Sequence, residues 1–162
     1  MLQRPLLFQK LTNMIPVKGL NHAVLYVRNL ERSLQFYQAL FGFTEVARIG
    51  DRMAFLRAAH SNNHHDLGLM ALGDTAPLPQ PGTVGLYHLA WEVPTRQDLL
   101  AARVLLQQFG YLSGASDHGA SQSLYAKDPD GNEFEIMWQV PRSEWGEYES
   151  KAITRSLNLK NV

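Results

Sequence analysis

The chain contains no cysteine. Disulfides, thiolate metal sites and cysteine nucleophiles are therefore excluded, and any bound metal must take nitrogen and oxygen donors. Such a donor set suits iron, manganese, nickel or zinc. A dominant charge is missing too, since Lys+Arg and Asp+Glu stand at 15 each. No basic field is present to hold nucleic acid or an anionic membrane. Long apolar runs are also absent. In the N-terminal extension, residues 1–17, the patch Leu6-Leu7-Phe8 is bounded by Arg4, Pro5, Gln9 and Lys10. That is no signal-peptide core and is far too short to span a bilayer, so a soluble cytoplasmic protein is expected. At 162 residues the chain is one domain of ordinary size.

What is present is a repeat. Gly19-Leu20-Asn21-His22 runs into Ala23-Val24-Leu25-Tyr26-Val27, and Gly85-Leu86-Tyr87-His88 runs into Leu89-Ala90-Trp91-Glu92-Val93. Both continue as strands after the histidine. Each is followed by a helical stretch ending in an aromatic-glycine-aromatic signature, Phe41-Gly42-Phe43 and Phe109-Gly110-Tyr111. The unit is about 65 residues long, and one histidine per copy is a natural start for a metal site between copies.

The first module, residues 18–73, reads as a strand over 20–27, a helix from the N-cap Asn29 to about Leu40, and strands near 44–49, 53–58 and 64–72. A proline-rich linker follows, with Pro77, Pro79 and Pro81. The second module, residues 84–140, repeats the order. Its strand over 86–93 precedes a helix over 95–108, where Thr95 and Asp98 resemble a capping box. Strands at 121–127 and 132–139 flank the turn Asp128-Pro129-Asp130-Gly131. A stretch rich in glycine and serine, 113–120, comes before them. Residues 141–162 form a C-terminal tail outside the repeat, expected to be partly helical. The fold class is α+β: two paired βαβββ modules forming a curved mixed sheet around a metal site.

Strand parity selects the side chains that can meet. His22 shares a face with Val24 and Tyr26, and His88 shares one with Ala90 and Glu92. On the last strand Phe134, Ile136 and Trp138 face the helix, which turns Glu135 to the cavity. His22, His88 and Glu135 then make an N,N,O set that leaves coordination positions open, the facial arrangement of non-haem Fe(II) oxygenases.

These features resemble the vicinal oxygen chelate superfamily, which includes glyoxalase I, fosfomycin-resistance enzymes, bleomycin-binding proteins and extradiol ring-cleaving dioxygenases. The resemblance covers 18–140 as a single domain. Asp128 to Glu135 is similar to the family's turn-then-glutamate motif, with the metal ligand four residues after Gly131. Among the branches, His64-His65-Asp66-Leu67-Gly68-Leu69 resembles the His-Asp segment of extradiol dioxygenases, whose histidine acts as acid and base without binding metal. That role falls on His65. His118-Gly119-Ala120-Ser121 resembles a segment whose histidine contacts substrate oxygen, and Tyr125 matches the active-site tyrosine. The resemblance thus implies catalytic His65, His118 and Tyr125. It further implies an Fe(II) centre, where Mn(II) is the alternative, and a catechol-type diol and O2 as substrates; a homo-oligomer is expected besides.

Two enzymatic rivals share the scaffold. A fosfomycin-resistance-type transferase also uses two histidines and a glutamate, but has no need of His65, His118 and Tyr125. A glyoxalase I-like isomerase needs a second carboxylate from module one, where Asp66 points opposite to His65. The rival from another class is a metal-free small-molecule binding protein, which has no need of His22, His88 and Glu135 together.

Overall fold

The computed structural model describes residues 15–157; the expectations for residues 1–14 and 158–162 lie outside the described residues. The element order is the expected βαβββ, twice. In module one, β1 (Ala23–Val27), α1 (Leu30–Phe41), β2 (Thr44–Ile49), β3 (Met53–Arg57) and β4 (Leu67–Ala71) follow one another. Module two contributes β5 (His88–Glu92), α2 (Arg96–Gln108), β6 (Leu112–Asp117), β7 (Ser121–Lys127) and β8 (Glu133–Gln139).

Local chemistry sets the helix bounds. The Asn29 side chain accepts from the backbone N–H of Arg32 at 3.1 Å, and Gly42 closes α1 at φ 65°, where a side chain would be strained. Thr95 and Asp98 form a reciprocal capping box at the start of α2.

The strands form two mixed sheets, one per module. Their orders are β1-β4-β3-β2 and β5-β8-β7-β6-β9, where β9 (Arg155–Ser156) comes from the tail. β1 runs parallel to β4 and β5 parallel to β8, so β1 and β5 each end a sheet. Three differences from the sequence reading matter for the site. β6 occupies the glycine- and serine-rich stretch, held by pairing with β7 on one side and β9 on the other. β4 starts only at Leu67, which leaves His64 and His65 in the preceding turn. His22 stands just before β1 rather than within it.

One apolar core serves both modules. Leu34, Phe36 and Tyr37 of α1 are buried with Leu56, Leu67 and Leu69 from its own sheet and with Leu124, Phe134 and Ile136 from the other. Phe41 packs edge-on against Phe134 at 5.1 Å and against Trp91 at 6.0 Å. Such aromatic pairs add to the area they bury.

A polar clasp reinforces the joint. Asp130 accepts from the Arg28 backbone N–H at 2.9 Å and forms an ion pair with Arg32. Asp128 accepts from the Tyr37 hydroxyl at 3.1 Å and from the backbone N–H groups of Asp130 and Asn132, both at 2.9 Å. Both aspartates are buried, which is tolerable only because each is so fully bonded.

Candidate functional site

The six sequence-predicted residues fall into two groups. The first gathers at the open end of module one. The rings of His22 and His65 lie 4.4 Å apart, and Phe55 packs against His65 at 4.8 Å. The turn carrying His65 is clasped by Asp66, which accepts from the Ala58 N–H at 2.9 Å, the Ser61 hydroxyl at 2.6 Å and the Asn63 amide at 2.8 Å. Asn63 also donates to the Asn21 carbonyl at 2.9 Å and accepts from the Asn21 amide at 3.0 Å. That leaves the Asn21 amide oxygen facing His22 Nδ1 at 2.9 Å. An oxygen there requires a proton on Nδ1, so His22 presents a bare Nε2 lone pair. This is the state a metal-ligating histidine needs.

The second group lies on module two. His88 Nε2 meets Glu135 Oε2 at 2.8 Å, and Glu135 is only 8 % exposed. The other ring nitrogen, His88 Nδ1, is buried without a partner. Tyr125 pairs with Glu135 across β7 and β8, and its ring lies 5.8 Å from His88. The Tyr125 hydroxyl is bonded to His118 Nε2 at 2.9 Å. Strand alternation turns Tyr125 and Glu135 to the same side of β7 and β8, and His118 reaches Tyr125 from just beyond the end of β6.

Burial acts on both groups. It pushes the Tyr125 phenol up, with the Glu135 carboxylate adding to the effect, so the tyrosine keeps its proton. It pushes His65 down, assisted by His22 and His64, which favours a neutral ring.

As a metal site the arrangement is partial. His88 and Glu135 could together contribute a nitrogen and an oxygen donor to a divalent cation, and a carboxylate so far from water would favour such a counter-charge. His22 is not with them: among the described residues no three His, Asp or Glu side chains gather into a metal-holding group. A cleft of about 840 Å³ between the modules is lined by Val24, Tyr26, Leu78, Leu86, Tyr87 and Glu133, and by none of the six predicted residues.

Sequence reasoning missed Asn21 and Asn63, which aim His22, and the tail residues that meet His118. Asn21 stood beside His22 in the repeat and could have been found. The tail left no local signal.

The sequence profile described as the glyoxalase/bleomycin resistance protein/dioxygenase superfamily matches residues 19–136. The chain belongs to this superfamily. Among curated relatives, a catechol-2,3-dioxygenase from Bacillus subtilis (strain 168) is 40 % identical over 126 residues, which are 78 % of this chain and 43 % of that protein. A biphenyl-2,3-diol 1,2-dioxygenase 3 from Rhodococcus globerulus is 34 % identical over 120 residues, 73 % of this chain and 62 % of the relative. The chain thus spans less than two thirds of either relative. A solved superfamily fold, the fosfomycin resistance protein FosX of Listeria monocytogenes complexed with Mn(II) and sulfate, aligns with a TM-score of 0.63. It is 19 % identical and covers 82 % of this chain and 98 % of its own, a likeness of fold alone. No helix among the described residues is long and apolar enough to cross a membrane.

Proposed function

We propose that this chain is an extradiol ring-cleaving dioxygenase, acting on a catechol-type aromatic diol with O2 at a non-haem Fe(II) centre that can also take Mn(II). The observation that carries this reading is the pairing of His88 with Glu135 beside the hydrogen-bonded Tyr125 and His118. A metal-holding histidine–carboxylate pair alone would serve any metal-dependent branch of the superfamily. The tyrosine and histidine beside it are what a diol needs, and the dioxygenase names of the relatives point the same way.

His22, His88 and Glu135 are the proposed metal donors. The bound metal would supply a common anchor for both diol oxygens and O2, turning an encounter of reactants into a local event. Tyr125, protonated and already donating to His118, keeps its oxygen lone pairs free to accept from a diol hydroxyl. His65, neutral and half-buried, can take a proton and return it as charge moves between oxygens. Both atoms of O2 would enter the product as the ring opens beside the diol.

The chain is proposed to work in the cytoplasm as a homo-oligomer. His22, Val24 and Tyr26 share an outward face, where Val24 is 45 % and Tyr26 63 % exposed, and Leu86 and Tyr87 before β5 are exposed as well. An uncovered apolar face of this kind marks an interaction site, and a second copy seated there would bring a third donor to the His88–Glu135 pair.

The test is anaerobic loading with Fe(II) or Mn(II), followed by a panel of catechols, dihydroxybiphenyls and dihydroxynaphthalenes in air. Oxygen uptake with a new yellow chromophore is expected. A loaded protein that turns over no diol in the panel overturns the reading.

A further inference from the structure

The tail leaves β8 and doubles back over the second group. Trp145 anchors its first turn by donating from Nε1 to the Val140 carbonyl at 2.6 Å. Tyr148 then lies over Gly119, whose backbone sits at φ +80° and whose missing Cβ would fall 2.6 Å from a ring carbon of the tyrosine. Only glycine admits both that conformation and that approach. Arg155 bonds to Asp117 at 3.1 Å and, with Ser156, pairs as β9 against β6. Between these anchors the chain passes His118, and the Ile153 carbonyl comes 2.9 Å from His118 Nδ1. Thr154 Oγ1 is 3.3 Å from the same nitrogen.

A carbonyl oxygen can only accept. Its bond to His118 therefore requires a hydrogen on Nδ1, and the neutral ring is left with a bare Nε2. Nε2 faces the Tyr125 hydroxyl at 2.9 Å, so the hydroxyl must be the donor. We infer that the tail is a positioning element: the Ile153 carbonyl, held by Tyr148 on Gly119 and by Arg155 on Asp117, selects the His118 tautomer and so fixes the direction of the Tyr125 proton. With the other tautomer, Nε2–H would donate to Tyr125 and turn the phenol proton toward the substrate side. The tyrosine would then donate to the diol oxygen, where it otherwise stands ready to accept the hydroxyl proton. The consequence for turnover rests on the dioxygenase reading, whereas the tautomer does not.

Long-range 1H–15N correlation spectra of histidine-labelled protein distinguish a protonated ring nitrogen from a bare one, with His118 assigned by its loss in His118→Asn. The intact chain should show Nδ1–H and bare Nε2. A chain ending at Ser150 should lose that preference and gain the Nε2–H form, with kcat lowered about tenfold or more and KM changed far less. If the shortened chain does not fold, the full-length double variant Tyr148→Ala/Arg155→Ala should show the same shift, and Tyr148→Phe, which keeps the ring on Gly119, should behave as the parent. An Nε2–H tautomer in the intact chain overturns the inference. So does an unchanged tautomer in the released variants. Intact protein with the expected tautomer but no diol turnover supports the tail's role and sinks the dioxygenase reading instead.

Discussion

Burial moves His65 and Tyr125 in opposite directions, down for the imidazole and up for the phenol, and each is thereby kept neutral. Neutrality lets the imidazole accept a proton and leaves the phenol its hydrogen for His118, each within its own group. His65→Ala should leave metal content intact and lower kcat by about 10²- to 10⁴-fold, with metal analysis separating the two effects. Glu135→Ala should instead remove the metal itself, read by elemental analysis after loading. The neighbouring Asp66 has a structural signature. Burial alone would raise its carboxyl, but bonds from Ser61, Ala58 and Asn63 outweigh it and hold the group below its ordinary range. Its stabilisation is therefore full above the unfolded value near about pH 4 and fades as pH falls through the lower folded value. Asp66→Asn should cost about 2 kcal/mol near neutrality. The gap in Tm from the parent should close as melts are taken to lower pH; a gap constant to pH 3 would contradict this account.

At the scale of elements, the clasp Asp128–Asn132 is the most exposed to mutation in energetic terms. Asp128→Ala strands the Tyr37 hydroxyl and two backbone N–H groups in a buried joint. A loss of about 2–4 kcal/mol is expected in denaturant unfolding, well above a surface substitution. The same turn shows how much was legible. Alternation in β5 and β8 announced which side chains face inward, because a strand repeats every two residues and both strands are rich in large side chains. β6 stayed hidden because Ser113, Gly114 and Ser116 lack strand propensity; partners on both sides impose the extended backbone on them. His64 and His65 read as strand because apolar residues follow them, yet the bonds to Asp66 fold that segment into a turn. The tail's role was invisible, since it depends on a carbonyl and a ring stacked on glycine.

For the whole molecule, the decisive fact is that His22 with His65 and His88 with Glu135 form separate groups. Sequence could pair the histidines by repeat, but the spacing between modules is set by how α1 packs against β8 and Trp91, which no local pattern encodes. If a second copy supplies the third donor, variants should complement. His22→Ala and Glu135→Ala should each bind no metal alone, and co-expressed in one oligomer they should recover part of it, measured by metal content of the purified mixed species. Mixed oligomers that stay empty would show that the donors must come from one chain.

The residues that lock α1 to the second module run without a break into β8, so docking and donor placement share one short length of backbone. That linkage restricts how such a protein can vary. On the proposed reading, a change that loosens the joint also alters the reach of Glu135, and altered metal affinity is then expected from variants at Arg32 or Tyr37 as well as at the donors. On the same reading, drift in α1 is held in check by the site on the other side of the core.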